Sequence, residues 1–356
     1  VGSEMCIRDR HQGGARSISA TRTSVHSASL NWVVPFPGTL NRDFRKTAFS
    51  EHKMMAFFEI GKTKAALCPL CQRMVDFVRK GSNMSHPITS TAPRFVSARQ
   101  VLHWSGRAWF MVAAIGQLAF VGFIIAFYYT RTFSGDFAAW NDKALIDGFK
   151  EGDVAGNMMF AIHVVLAALM TVTGLIQLIP QIRSRAPLVH RMSGRIFVLL
   201  ACLLALGGLW LVWVRGTQLS SIGGLSVSLN GVFVLAFAVP TVAYAIRRNI
   251  ALHQRWAMRF FLVASGVWFV RVGIMGWLTI AQGPVGMNAT MSGPADIVIT
   301  FGSYLIPLAI YESYQRARSS SSDTAKASAA TLVLAATLVT AIGVHGTIFN
   351  MWLPRI

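Results

Sequence analysis

The sequence predicts an all-α fold: a polytopic transmembrane helix bundle of about seven spans, with its N-terminus cytoplasmic and its C-terminus outside. Three observations carry this. Only 13% of the residues are charged while 53% are hydrophobic, and mean hydropathy is +0.49, whereas soluble domains carry about a quarter charged residues. The apolar residues gather in blocks of about 20, the length that crosses a hydrocarbon layer of roughly 30 Å. Connectors with an excess of Arg and Lys alternate with connectors that have no such excess, which assigns the basic ones to the cytoplasmic side.

The first 83 residues stand apart. Residues 1–10, "VGSEMCIRDR", resemble translated sequencing adaptor, and the polar stretch up to residue 83 shows no sustained helical or strand period, as expected of a non-native or disordered extension. Met84 is the preferred start. "CPLC" at 68–71 is the chain's one CxxC, half of what a closed zinc site needs. With Cys6 before it and Cys202 inside a span, the cysteines make no disulfide framework.

Seven apolar blocks follow, at 108–130, 158–180, 196–214, 227–246, 260–282, 294–314 and 329–351. Pro240 and Pro307 fall inside the fourth and sixth, where neighbouring groups can satisfy the freed carbonyls. Arg94, Arg99 and Arg107 precede the first block, and Arg183, Arg185, Arg191 and Arg195 lie between the second and third. Arg247, Arg248, Arg255 and Arg259 separate the fourth from the fifth, and Arg316, Arg318 and Lys326 follow the sixth. The opposite connectors hold Arg215 alone, no charge at 283–293, and an acid-rich stretch at 131–157 that reads as a solvated face. Residues 84–315 thus form a six-helix membrane core, 316–328 a flexible cytoplasmic linker, and 329–356 the seventh transmembrane helix. The net charge of +19 is spread over connectors rather than one folded patch, which suits the headgroups of a lipid bilayer and implies no nucleic-acid partner.

One pattern recurs where the chain enters the membrane. "HWSGR" (103–107), "HRMSGR" (190–195) and "HQRWAMR" (253–259) each stand at the cytoplasmic mouth of an odd-numbered span. As interfacial anchors, their Arg, His and Trp side chains would reach lipid headgroups, with Gly106 and Gly194 admitting neighbouring backbone. As a site, His190, Arg191, Arg195, His253, Arg255 and Arg259 would converge on an anionic ligand, a quinone headgroup or a haem propionate. Arginine suits that task because its planar fork grips carboxylate or phosphate at two points.

Polar groups inside spans are costly and mark sites by default. His163, in "MMFAIHVVLAALM", and His345, in "TAIGVHGTIFN", lie roughly 8 to 9 Å below the outer boundary of their spans. Two imidazoles at matching depth could clamp the iron of haem b; a buried histidine bonded to a carbonyl is the plainer alternative. Arg271, in "VWFVRVGIMGW", sits at the middle of the fifth span and needs a counter-charge from Asp296, Glu312 or a bound anion such as a propionate. No GxSxG, HExxH, Walker loop or dinucleotide fingerprint occurs, so the catalytic residues, if there are any, stay unassigned.

The ordered motifs "AIHVVLAALMTVTGLIQLIPQIRSRAPLVHRMSGRIFVLL", "IALHQRWAMRF" and an arginine in the following span make residues 158 to about 280 similar to an uncharacterised bacterial membrane family, domain of unknown function 2306. The resemblance implies that His163, Gln177, His190, Arg191, Gly194, Arg195, His253, Arg259 and Arg271 are its matching positions, with His103 and His345 outside it. It implies the architecture and a bacterial inner-membrane location, and no activity. Three functions stay open: a haem-b or quinone-linked electron carrier with a redox partner, a transporter or small anionic-ligand binder using Arg271, and a structural or assembly protein without chemistry.

Overall fold

The computed structural model describes residues 97–142 and 146–356, all within the compact unit Thr91–Ile356. The expectations for residues 1–83, the CPLC pair included, lie outside the described residues. Those described form helices and no strands. Helix α1 runs Ala98–Phe133, with a π turn at Ile125–Tyr129. It is followed by α2 (Val154–Leu178), the short α3 (Pro180–Arg185), α4 (Pro187–Trp213) and α5 (Ser221–Ile246). Then come α6 (Ile250–Ala264), α7 (Gly266–Ile280), α8 (Pro294–Ser319) and α9 (Asp323–Arg355), the last with a π turn at Thr347–Trp352.

Six of these helices are long and apolar enough to cross a membrane, and α6 with α7, bent by 55° at Ser265, makes a seventh, broken span. The chain is a multi-pass membrane protein. Its helix ends follow local chemistry. Ser97 and Gln100 close a capping box on α1, Asp153 caps α2 through the Gly156 amide, and Ser220, Asn249 and Ser322 cap α5, α6 and α9. Pro180, Pro187 and Pro294 open α3, α4 and α8, where a missing N–H costs nothing.

Three differences from the expected spans have physical causes. Helices α1, α4 and α6 begin before their apolar blocks, because a helix extends into the headgroup zone where a cap, or for α4 the N1 proline Pro187, starts it; the three His/Arg motifs are therefore helical. The fifth span is broken at Ser265–Gly266, a pair of the kind that kinks helices, and the buried Gln117 of α1 holds the break by donating from Nε2 to Ser265 Oγ at 3.1 Å. The stretch 316–328, expected as a flexible linker, is helical apart from Ser320–Ser322. Ala317, Ala329 and Ala330 are buried there with Leu102, so the hairpin is packed onto α1.

The spans form a closed set in which α9 packs against α1, α7 and α8, α2 against α4, and α6 against α5 and α8. Helix α9 is thus part of the same bundle as the other six spans. Small residues set its approach. A methyl added at Gly343 would lie 2.6 Å from Val272 Cγ1 of α7, and one at Gly116 would lie 2.7 Å from Trp268 of α7 and 2.6 Å from Val344 of α9. Aromatics fill the same interior: Phe120 and Phe123 stack on Trp352 at 5.4 and 5.7 Å, and Trp109 faces Phe269 at 6.3 Å.

Candidate functional site

Starting the helices early aligns the motif residues. His103 with Arg107 and Arg191 with Arg195 are one helical turn apart on α1 and α4, so each pair shares a face. The serine and glycine between them do the packing. Ser105 and Ser193 are buried, a methyl at Gly106 would rest 3.4 Å from the Tyr314 hydroxyl of α8, and one at Gly194 would come 2.9 Å from Gln177 Oε1 of α2. Gln177 in turn donates from Nε2 to the Ser193 hydroxyl at 2.6 Å and to the His190 carbonyl at 3.1 Å, tying α2 to the entry of α4.

With those helices fixed, the basic ends of the spans surround an open cavity of about 2480 Å³, several times the roughly 300–1,000 Å³ of a small-molecule pocket. Its wall takes His103 and Arg107 from α1, Arg183 from α3, His190, Arg191 and Arg195 from α4, His253 and Arg255 from α6, and Arg318 from α8. Among the described residues, aspartate and glutamate are absent from the lining. Deeper, the wall becomes apolar, with Phe197, Phe261, Phe269, Ile306 and Val339 among its residues. Five of the six residues expected at this site share the cavity.

Arg259, the sixth, is engaged elsewhere. Its guanidinium donates from Nε and Nη2 to the Glu312 carboxylate at 2.7 and 3.1 Å and lies 4.7 Å from the Trp256 ring, so it fastens α6 to α8. His253 is positioned from the other side: its Nδ1 is 3.0 Å from the Thr241 carbonyl oxygen. A carbonyl only accepts, so Nδ1 carries the proton and Nε2 of the neutral ring is left as an acceptor.

The intramembrane residues divide. His163 lies against α4, where methyls at Gly207 and Gly208 would sit 3.5 and 3.6 Å from its ring. His345 is exposed on α9, its ring 4.7 Å from Phe349. No contact joins the two imidazoles among the described residues. The reason lies in the neighbours of His345: Gly343, Val344, Gly346 and Thr347 are buried against the bundle, which turns residue 345 outward. Neither acid expected beside Arg271 pairs with it. Glu312 holds Arg259, and the buried Asp296 accepts the Asn288 and Gly293 amides at 3.0 and 3.1 Å.

At the opposite end, Asp136, Asp142, Asp147 and Glu151 of the stretch read as a solvated face are exposed, while its later part packs on Arg215. Its buried guanidinium donates to Asp153 at 2.9 Å, to Asn157 at 2.6 Å and to the Gly148 carbonyl at 3.1 Å. The Gly156 amide, and then Arg215, hold the Asp153 carboxyl below the usual aspartate range. Arg215, the one charged residue of its own connector and facing an acid-rich one, was the available signal for this pair.

Residues 160–312 match a family described as "Predicted membrane protein (DUF2306)". The match runs from α2 to Glu312 of α8 and leaves α1 and α9 outside. No curated protein and no solved structure matches the chain.

Proposed function

We propose that this chain, whose segment 160–312 belongs to the DUF2306 predicted membrane proteins, is a bacterial inner-membrane protein that binds an amphipathic anion through the cytoplasmic mouth of its cavity. The observation that carries this is the wall itself: Arg107, Arg183, Arg191, Arg195, Arg255 and Arg318 with no carboxylate among the described lining residues. Guanidiniums of one sign facing one space favour a ligand that is already negative. The apolar lower wall suits a hydrocarbon tail, and a cavity this size suits a long molecule. His190 and His253 would orient the headgroup, with His253 offering an acceptor to a protonated oxygen. Arg259, through Glu312, would hold the α6 wall in place.

The topology behind the word cytoplasmic rests on the alternation of basic connectors. A quinone-linked carrier would use the same tail wall, yet a neutral headgroup leaves the arginines uncompensated. A haem site needs His163 and a second axial ligand, and the outward ring of His345 does not supply it.

The test uses the full chain in phosphatidylcholine nanodiscs, titrated with a fluorescent phosphatidic acid and, separately, with the matching phosphatidylcholine. Saturable binding of the anionic probe, weakened about tenfold or more by Arg191→Gln/Arg195→Gln and weakened further by salt, is expected. Equal affinity for both probes would refute the proposal.

A further inference from the structure

Arg271 belongs to a different place from the cavity. The cavity wall takes its neighbours Val272 and Gly273, while Arg271 itself lies over the Phe120 ring of α1 at 5.2 Å. It is on α7, nine residues and so roughly 13 Å from the helix end at Ile280, which puts it inside a hydrocarbon layer of roughly 30 Å. A guanidinium has five N–H donors. The described hydrogen bonds of this one reduce to a single donation, from Nη1 to the Val267 carbonyl at 2.9 Å, and no carboxylate lies within ion-pair distance among the described residues. The residue is partly buried.

The surroundings are built for more than packing. The helices on either side each carry a π turn at this level: Ile125–Tyr129, which bears Tyr128, and Thr347–Trp352, whose Thr347 hydroxyl lies 3.5 Å from the Arg271 carbonyl oxygen. Single π turns inside α-helices are frequent at functional sites.

The geometry points to an intramembrane site for one carboxylate group, gripped by the fork of Arg271 between α1 and α7, beside the π turn of α1. Charge restricts the ligand to a monoanion. One fixed cation without an acid is neutralised by a monoanion, whereas a phosphate dianion would leave a net negative charge in hydrocarbon. The planar fork matches two carboxylate oxygens. The ligand is a membrane-soluble carboxylic acid whose tail lies among the lipid chains.

The experiment measures the unfolding temperature of the full chain in phosphatidylcholine nanodiscs against decanoate, with decanol as the uncharged counterpart. The basic cavity would take an amphipathic anion too, so every variant carries Arg191→Gln/Arg195→Gln, which weakens that site. This chain should show a saturable rise with decanoate and none with decanol. Adding Arg271→Lys keeps the charge and loses the fork, and should raise the half-saturating concentration about tenfold or more; adding Arg271→Gln should abolish the response. The absence of a saturable response in the Arg191→Gln/Arg195→Gln chain, or an unchanged response after Arg271→Lys, would overturn the assignment. If Arg271→Gln does not fold, the lysine variant decides.

Discussion

Replacing Gly343 by alanine tests the packing of α9 directly. The added methyl would lie 2.6 Å from Val272 Cγ1 and 3.0 Å from the Val272 carbonyl carbon, and would collide with the carbonyl oxygen itself. Carbon atoms prefer separations of about 3.5–4.0 Å, so α7 and α9 must part by about 1 Å. Parting also loosens the neighbouring contacts: a methyl at Gly276 would already touch Gly343 Cα at 3.4 Å, and one at Gly346 would meet Met275 Cβ at 3.3 Å. Because the obstacle is backbone, the cost belongs at the upper end of the overpacking range, about 3 kcal/mol. Alanine's helix propensity returns up to about 1 kcal/mol. The net loss of about 2 kcal/mol is roughly thirtyfold in the unfolding equilibrium. Gly122→Ala is the control, since nothing lies within 4 Å of the added methyl, and it should be neutral or slightly stabilising. The assay is reversible unfolding by sodium dodecyl sulfate in mixed micelles, followed by tryptophan fluorescence. Equal stability of the two variants would refute the close approach of α7 and α9.

Three further outcomes follow from named contacts. Glu312→Gln should cost about 1 kcal/mol in the same assay, a modest figure because the Arg259 and Glu312 side chains are 22% and 35% exposed; a loss several times larger would mean the pair bears more of the α6–α8 contact than its exposure allows. Ser265→Ala should cost about 1–3 kcal/mol by stranding the Gln117 amide, which is 2% exposed. Adding Gln117→Leu should restore most of that loss, and a merely additive double variant would argue against the hydrogen bond. Asp153 gives a pH dependence. Its folded carboxyl is held below the ordinary range, so its contribution is complete above about pH 4 and fades as pH falls through the depressed value. Limited proteolysis of the 146–157 segment should therefore accelerate on acidification in the wild-type chain, and Asp153→Asn should be cleaved fast at every pH.

Hydropathy and charge made the spans legible because a bilayer imposes a length and a connector rule on any chain that crosses it. The caps act through their own neighbours in sequence, Ser97 with Gln100, Asp153 and Asn249, yet the apolar blocks alone set the expected helix starts. The grouping of His and Arg motifs at one end was legible too. Which of those side chains share a space was not, because that depends on partners far along the chain: Glu312, 53 residues away, takes Arg259 out of the cavity, while Arg183 and Arg318 enter it. The glycines around His345 read equally well as room for a macrocycle or for a helix. Packing on α7 decided for the helix and turned the histidine outward. The break at Ser265 had a readable signal in the Ser-Gly pair, masked by an apolar run that continued across it.

The seam between α1 and α9 joins the first of the seven spans to the seventh. During synthesis, α1 reaches the bilayer some two hundred residues before the partner that covers Gly116 and Phe120, and its inner stripe must wait among lipids or provisional neighbours until then. Assembly is therefore finished from its C-terminal side: a ribosome that stops after α8 leaves α1 and the glycine face of α7 uncovered, a surface that membrane quality-control proteases can recognise.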